Sequence, residues 1–255
     1  MQTASQTMTK DVHLTGSDLM GIVQLRPQDI GKYAIVPGPK ERLDNLLKKI
    51  ENPVKNFSFM EYSMYTGTYA GTKVTAINGG RFSADTAITT ELLCNAQANC
   101  MLRIGSCGAL RSDIKVGDLI IAENAIRGEG VTPYYVDGNF NTAADKSLTN
   151  TLEEVTKASG LTVHRGKVWS TDAILRETRE HVSNATQKGA IAVDMVTSVF
   201  LTIAQLYKIR AAVILAVSDN IMTGEMGFMD PTYYMAEGSI INVAFNLIKK
   251  LEGKS

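Results

Sequence analysis

Residues 103–110, Arg103-Ile104-Gly105-Ser106-Cys107-Gly108-Ala109-Leu110, run an arginine straight into a series of small residues. Glycine and serine at the carboxyl end of a strand would leave backbone N–H groups and a hydroxyl with little steric cover. The adjacent guanidinium adds a planar, permanently charged fork that suits a tetrahedral oxyanion. The chemistry such a set fits is phosphate binding, although a tight turn whose arginine pairs with a carboxylate would read the same way in isolation. A second segment repeats the pattern: the apolar run from Tyr33 to Val36 is followed by Pro37-Gly38-Pro39 and then Arg42. Leu43, Leu46, Leu47 and Ile50 recur at helical spacing, so Arg42 falls in the first turn of a helix. Helix N-termini present unpaired N–H groups and partial positive charge, which favours bound anions. Asp219 is a third candidate, because it ends the apolar run 214–218, where partial desolvation raises a carboxyl pKa toward that of a useful acid. A Ser-Asp-Asn sequence would also cap a turn.

These side chains need a scaffold, and strand and helix signals alternate along the chain. Residues 98–102 read as the approach to and start of a buried strand, with 103–110 as the turn that follows it. Residues 114–121 read as a turn and a strand, and 74–77, 163–170, 190–193 and 211–217 as further strands. Helices are expected over 85–97, 145–159, 198–206 and 235–251, and a surface loop over 134–142. The alternation argues for a single-domain three-layer α/β/α sandwich with a mixed central sheet, spanning residues 11–255. Residues 1–10 are polar and are expected to be a disordered tail. Ligands of such sheets bind beyond the strands' carboxyl ends, where the glycine turns and Asp219 fall.

Composition narrows the function classes. The 255 residues are 44% hydrophobic and 20% charged, with 26 basic and 26 acidic side chains and no net charge. That balance leaves no footprint for nucleic acid and no membrane-surface patch. No apolar run reaches bilayer length, and the N-terminus has no secretory hydrophobic core. Cys94, Cys100 and Cys107 fit reduced core thiols of a cytoplasmic protein, and the scattered histidines give no metal-ligand spacing.

The order and spacing of the two phosphate segments, Thr66-Gly67-Thr68-Tyr69, Val116-Gly117-Asp118, Ser170-Thr171-Asp172 and Val217-Ser218-Asp219 resemble the nucleoside phosphorylase family. The resemblance is to its hexameric purine nucleoside and uridine phosphorylase branch, and it runs from about His13 to the last helix. It implies phosphorolysis of an N-glycosidic bond to free base and ribose 1-phosphate, with inorganic phosphate as co-substrate and no other cofactor. By the same resemblance, Gly38, Arg42, Arg103, Gly105 and Ser106 bind phosphate, and Asp219 protonates the departing base. Arg81, Ile174, Asp194, Met195 and Ser218 would surround the nucleoside. His13 would reach into a neighbouring subunit to the sugar's 5′-hydroxyl, which implies a homo-oligomer of dimer units, a hexamer in the family. His164 and His181 match no such position and read as structural.

The departures from the family pattern bear on substrate. Where relatives donate an arginine across the interface to phosphate, this chain has Met60, and a thioether cannot replace a guanidinium. Where relatives grip the ribose hydroxyls with the second glutamate of Glu-Met-Glu, it has Val196 after Met195. Arg81 stands where relatives have a small or apolar residue; it would face phosphate or ribose, or instead face solvent or pair with Asp85. Ile174 replaces a base-stacking aromatic, with Trp169, Tyr134 and Tyr135 available as aromatic surface. Arg176 and Arg179 lack the glutamine that reads uracil, so Asp219 tilts the reading slightly toward a purine. Two alternatives stand beside phosphorolysis: a hydrolytic nucleosidase on the same fold, or a noncatalytic nucleoside-binding or storage protein.

Overall fold

Short apolar runs alternate with amphipathic segments, and in this computed structural model, which describes residues 12–254, they become ten strands and seven helices. In chain order these are α1 (Gly16–Ile22), β1 (Tyr33–Val36), α2 (Lys40–Leu47), β2 (Glu51–Phe59), β3 (Tyr62–Tyr69), β4 (Thr72–Ile77), α3 (Ser83–Asn95) and β5 (Cys100–Ala109). There follow β6 (Leu119–Gly128), α4 (Lys146–Ala158), β7 (Val163–Thr171), α5 (Arg179–Gln187), β8 (Ala190–Asp194), α6 (Thr197–Leu206), β9 (Arg210–Asn220), β10 (Glu225–Met226) and α7 (Pro231–Leu251). The expected tail, residues 1–10, lies outside the described residues.

The strand order is β10-β9-β6-β7-β8-β5-β1-β4-β3-β2, with parallel and antiparallel neighbours, so the sheet is mixed as expected. Helices cover both faces. Along β9 the side chains alternate between two cores, as a period of two requires. Val213, Leu215 and Val217 pack with residues of α3 and α6, while Ala212, Ile214 and Ala216 pack with residues of α2, α4 and α7. One feature goes beyond a flat sandwich: β5 pairs with β9 as well as with β8, so β5, β9, β6, β7 and β8 close into a ring.

The expected turn over 103–110 is not a turn. β5 continues to Ala109, and Gly105 and Ser106 lie opposite Leu215 and Ala216 in the parallel ladder. Glycine is needed at 105 for space: a Cβ there would strike the Arg103 guanidinium and a Leu215 methyl. A bulge between Cys107 and Gly108 then sets Gly108 opposite Asp219. Helix α7 also begins earlier than the apolar periodicity indicates. Asp230 caps it by accepting from the Thr232 N–H at 2.8 Å, and Pro231 takes the first helical position, where a missing N–H costs nothing.

Candidate functional site

A cavity of about 920 Å³ opens at the ends of β5, β8 and β9 and brings most of the expected residues together. Arg42, Arg103 and Ser106 line it, as do Ser218 and Asp219. Gly38 stands just before Arg42 with φ +84°, a left-handed conformation that glycine tolerates, and its carbonyl accepts from the Gly79 N–H at 2.9 Å. Arg42 sits in the first turn of α2, as the spacing indicates. Its Nη1 donates to the Pro37 carbonyl at 2.6 Å and to the Ile104 carbonyl at 3.4 Å, and its Nε donates to Glu237 Oε1 at 3.1 Å. Its Nη2 reaches the same carboxylate.

Arg103 comes from the middle of β5. It donates through Nη2 to Asp194 Oδ2 at 3.5 Å and through Nη1 to the Ile104 carbonyl at 3.4 Å. Its Nε is buried and has no partner. Burial pulls its pKa down, the Asp194 carboxylate opposes that fall and the Arg42 charge adds to it. A buried donor without an acceptor, in an arginine that lines a cavity beside a second arginine, suits an oxyanion.

Asp194 lines the cavity, but it is not placed to grip a ribose. Its oxygens accept from Ser170 Oγ at 2.7 Å, Thr197 Oγ1 at 2.7 Å and the backbone N–H groups of Val196 and Thr197, besides Arg103. It braces Arg103 and caps α6. The Met195 carbonyl accepts from Ser83 Oγ at 3.0 Å, and Val196 is fully buried in the core. No carboxylate therefore replaces the ribose-gripping glutamate from that segment.

Asp219 is half-buried. Its Oδ1 accepts from Ser218 Oγ at 2.7 Å, and its Oδ2 lies 3.0 Å from where a Cβ on residue 108 would stand. Gly108 makes room for this carboxyl at the cavity wall. Ile174 is half-exposed at the rim. Trp169, Tyr134 and Tyr135 do not line the cavity; its aromatic surface comes from Phe82, Phe228 and Tyr233. Arg81 lines the rim, its guanidinium paired with Glu61 at 3.2 Å and lying over the Phe82 ring, while only its backbone N–H reaches Asp85, at 3.3 Å. His13 is exposed and does not line the cavity of its own chain. Gly105 stands behind Arg103 and does not line it either.

Three cavity residues escape a reading of the sequence. Glu237 holds Arg42 and accepts from the Tyr233 hydroxyl at 3.0 Å. Burial pushes the Tyr233 phenol up, the Glu237 carboxylate adds to the rise and a hydrogen bond with Ser106 opposes it. Glu177, half-buried on the loop after β7, is pushed up to about 7 by burial, with the Asp219 charge adding. Tyr233 precedes the helix expected from residue 235, Glu237 reads there as one more polar position of an amphipathic helix, and Glu177 carries no periodic signal. Among the described residues, no three His, Cys, Asp or Glu side chains converge as a metal would require. The three cysteines are buried free thiols, all pushed up chiefly by burial.

Residues 32–238 match the model of the Phosphorylase superfamily. The chain belongs to that family. It is 30% identical over 219 residues to the uridine phosphorylase of Thermococcus kodakarensis, covering 80% of this chain and 79% of that one. It is 26% identical to the guanosine phosphorylase of Halorubrum lacusprofundi, covering 84% and 89%. It is 29% identical to a DeoD-type purine nucleoside phosphorylase of Bacillus cereus, covering 80% and 88%. The fold is also that of the crystal structure of uridine phosphorylase from Vibrio fischeri, with a TM-score of 0.81 at 24% identity over 89% of this chain and 95% of that one. Every cavity residue described above falls inside the matched span, and His13 falls outside it.

Proposed function

We propose that this phosphorylase-superfamily chain cleaves the N-glycosidic bond of a purine nucleoside with inorganic phosphate, releasing free base and ribose 1-phosphate. The observation that carries the reading is one cavity with two buried guanidiniums, Arg42 and Arg103, beside Ser106, and a carboxyl, Asp219, on its wall. Arg42, Arg103 and Ser106 hold phosphate against the anomeric carbon, which is catalysis by position and charge. A phosphate oxygen forms the new bond to that carbon as the bond to the base nitrogen breaks. Asp219 gives its proton to the departing base, relieving the charge left by the bonding pair. An acid at this wall favours a purine, whose imidazole nitrogen is basic enough to take its proton as the bond breaks, whereas uracil offers only weakly basic carbonyl oxygens. Phosphate is the co-substrate, and the reaction as proposed draws on no other cofactor. We further propose a cytoplasmic homo-oligomer in which His13 completes the neighbouring subunit's site.

The test is base release from a panel of purine and pyrimidine nucleosides, with and without phosphate. Phosphate-dependent release of purine base and ribose 1-phosphate is expected. Release that needs no phosphate would make the protein a nucleosidase, and preferred release of uracil would overturn the choice of base.

A further inference from the structure

We infer that Glu237 sets how tightly this site holds its oxyanion, by occupying the edge of Arg42 that would otherwise grip it. The inference rests on phosphate being the co-substrate, as proposed above. A guanidinium takes an oxyanion through two parallel N–H groups on one edge. On Arg42 the Nε and Nη2 edge belongs to Glu237, and Nη1 donates to the Pro37 and Ile104 carbonyls. Arg42 is only 6% exposed, so its guanidinium cannot turn outward to bring a fresh edge to an anion.

The carboxylate is itself held in place. Tyr233, one turn earlier on α7, donates its hydroxyl to Glu237 at 3.0 Å. Residues of α2, β5 and α7 thus satisfy one another at the place where an oxyanion would bind. The charges match in the same way: Asp194 faces Arg103 and Glu237 faces Arg42, so two cations meet two anions before phosphate arrives. At short range in a partly desolvated site, a fixed carboxylate repels an incoming phosphate strongly.

The structure also gives Glu237 somewhere to go. A second cavity of about 560 Å³ lies between α2 and α7, and Arg42 and Glu237 line both cavities, so their pair forms part of the wall between them. Lys49 lines the second cavity, and its side-chain ammonium has no hydrogen bond or ion pair among the described residues. An oxyanion that takes the Arg42 edge can push the Glu237 carboxylate toward Lys49, which receives its charge.

Calorimetric titration of inorganic phosphate into the full chain tests this. Glu237→Gln keeps the shape and an acceptor for Arg42 but removes the charge, and is expected to bind phosphate about tenfold more tightly, roughly 1.4 kcal/mol of removed repulsion. The phosphate KM should fall by the same factor, a gain that mere loosening of the structure would not produce. Unchanged or weaker binding by the folded variant overturns the inference. Should Glu237→Gln fail to fold, Lys49→Met is expected to weaken phosphate binding about threefold, and unchanged binding there overturns it as well. Phosphate-dependent base release together with unchanged affinity in Glu237→Gln overturns this inference alone. Phosphate-independent release with no phosphate bound overturns the proposed function and this inference together.

Discussion

A carboxyl that must hand a proton to a leaving base needs to be near it, partly shielded from water and fixed in direction. Asp219 meets those demands through the Ser218 hydroxyl on one oxygen and Gly108 facing the other. Asp219→Asn is expected to preserve the fold and phosphate binding while lowering turnover on the order of 10²–10⁴-fold. The loss should be large for bases that leave poorly unprotonated and small for activated leaving groups; an equal loss across leaving groups would make Asp219 a structural residue. Glu177 gives a prediction in stability. Its pKa is raised from 4.5 to about 7 in the folded chain, so between those values the folded state binds more protons than the unfolded one. Its contribution to stability therefore falls as pH rises through that window. Relative to wild type, Glu177→Gln should change Tm little at pH 4 and raise it progressively up to pH 8, and a difference independent of pH would refute the assignment. Arg103 and Asp219 could be read from the sequence because each interrupts or ends a recognisable apolar run, and Arg42 because the Pro-Gly-Pro turn and the helical spacing after it put it in a first turn. Glu177 and Glu237 could not, because what places them in the cavity is tertiary: a loop and the first turns of α7 that arrive from far along the chain.

At the scale of elements, the alternation of strand and helix was legible because it is written in local periodicity, and β7, β8, α4 and α6 begin within a residue of where that periodicity puts them. The segment 103–110 was misread because glycine and serine serve two purposes that look alike in sequence. They allow turns, and they also leave room in a strand for a bulky neighbour. Here the neighbour is the Arg103 guanidinium, and the distinction has a consequence. Gly105→Ala keeps an allowed extended backbone but drives a methyl into that guanidinium and Leu215. It should destabilise the chain by roughly 1–3 kcal/mol, the usual range for overpacking, measured by urea unfolding. It should also weaken phosphate binding, since Arg103 must move. If residue 105 were instead part of a flexible turn, the same substitution would leave both quantities unchanged. The closure of β5 onto β9 was not legible, because no local pattern reports which distant strand a fully buried strand will pair with.

The whole molecule leaves features that one chain does not use. Leu175, Met229 and Tyr134 are each at least 90% exposed, and Met60 is 80% exposed at the tip of the β2–β3 hairpin. Large apolar side chains gathered around a cavity mouth, such as Leu175 and the exposed Met226 and Phe228, mark surfaces that associate. His13 is exposed and contributes nothing to the cavity of its own subunit. If it completes the neighbour's site, as proposed, the protein runs in light scattering as a multiple of its 27.7 kDa chain, and a monomer at micromolar concentration would refute the assembly. A sharper test uses two damaged chains. His13→Ala should raise the nucleoside KM and leave phosphate binding alone, while Asp219→Asn should lower turnover. In a mixed dimer, one site combines the intact cavity of the His13→Ala chain with the intact His13 of the Asp219→Asn chain, so it is native. The other site carries both defects. Assayed with nucleoside well below the KM of His13→Ala, co-expressing the two variants should therefore give activity that neither homo-oligomer reaches, up to half of the wild-type value per mixed dimer. Activity no greater than the average of the two variants would mean that each chain builds its site without its neighbour's histidine.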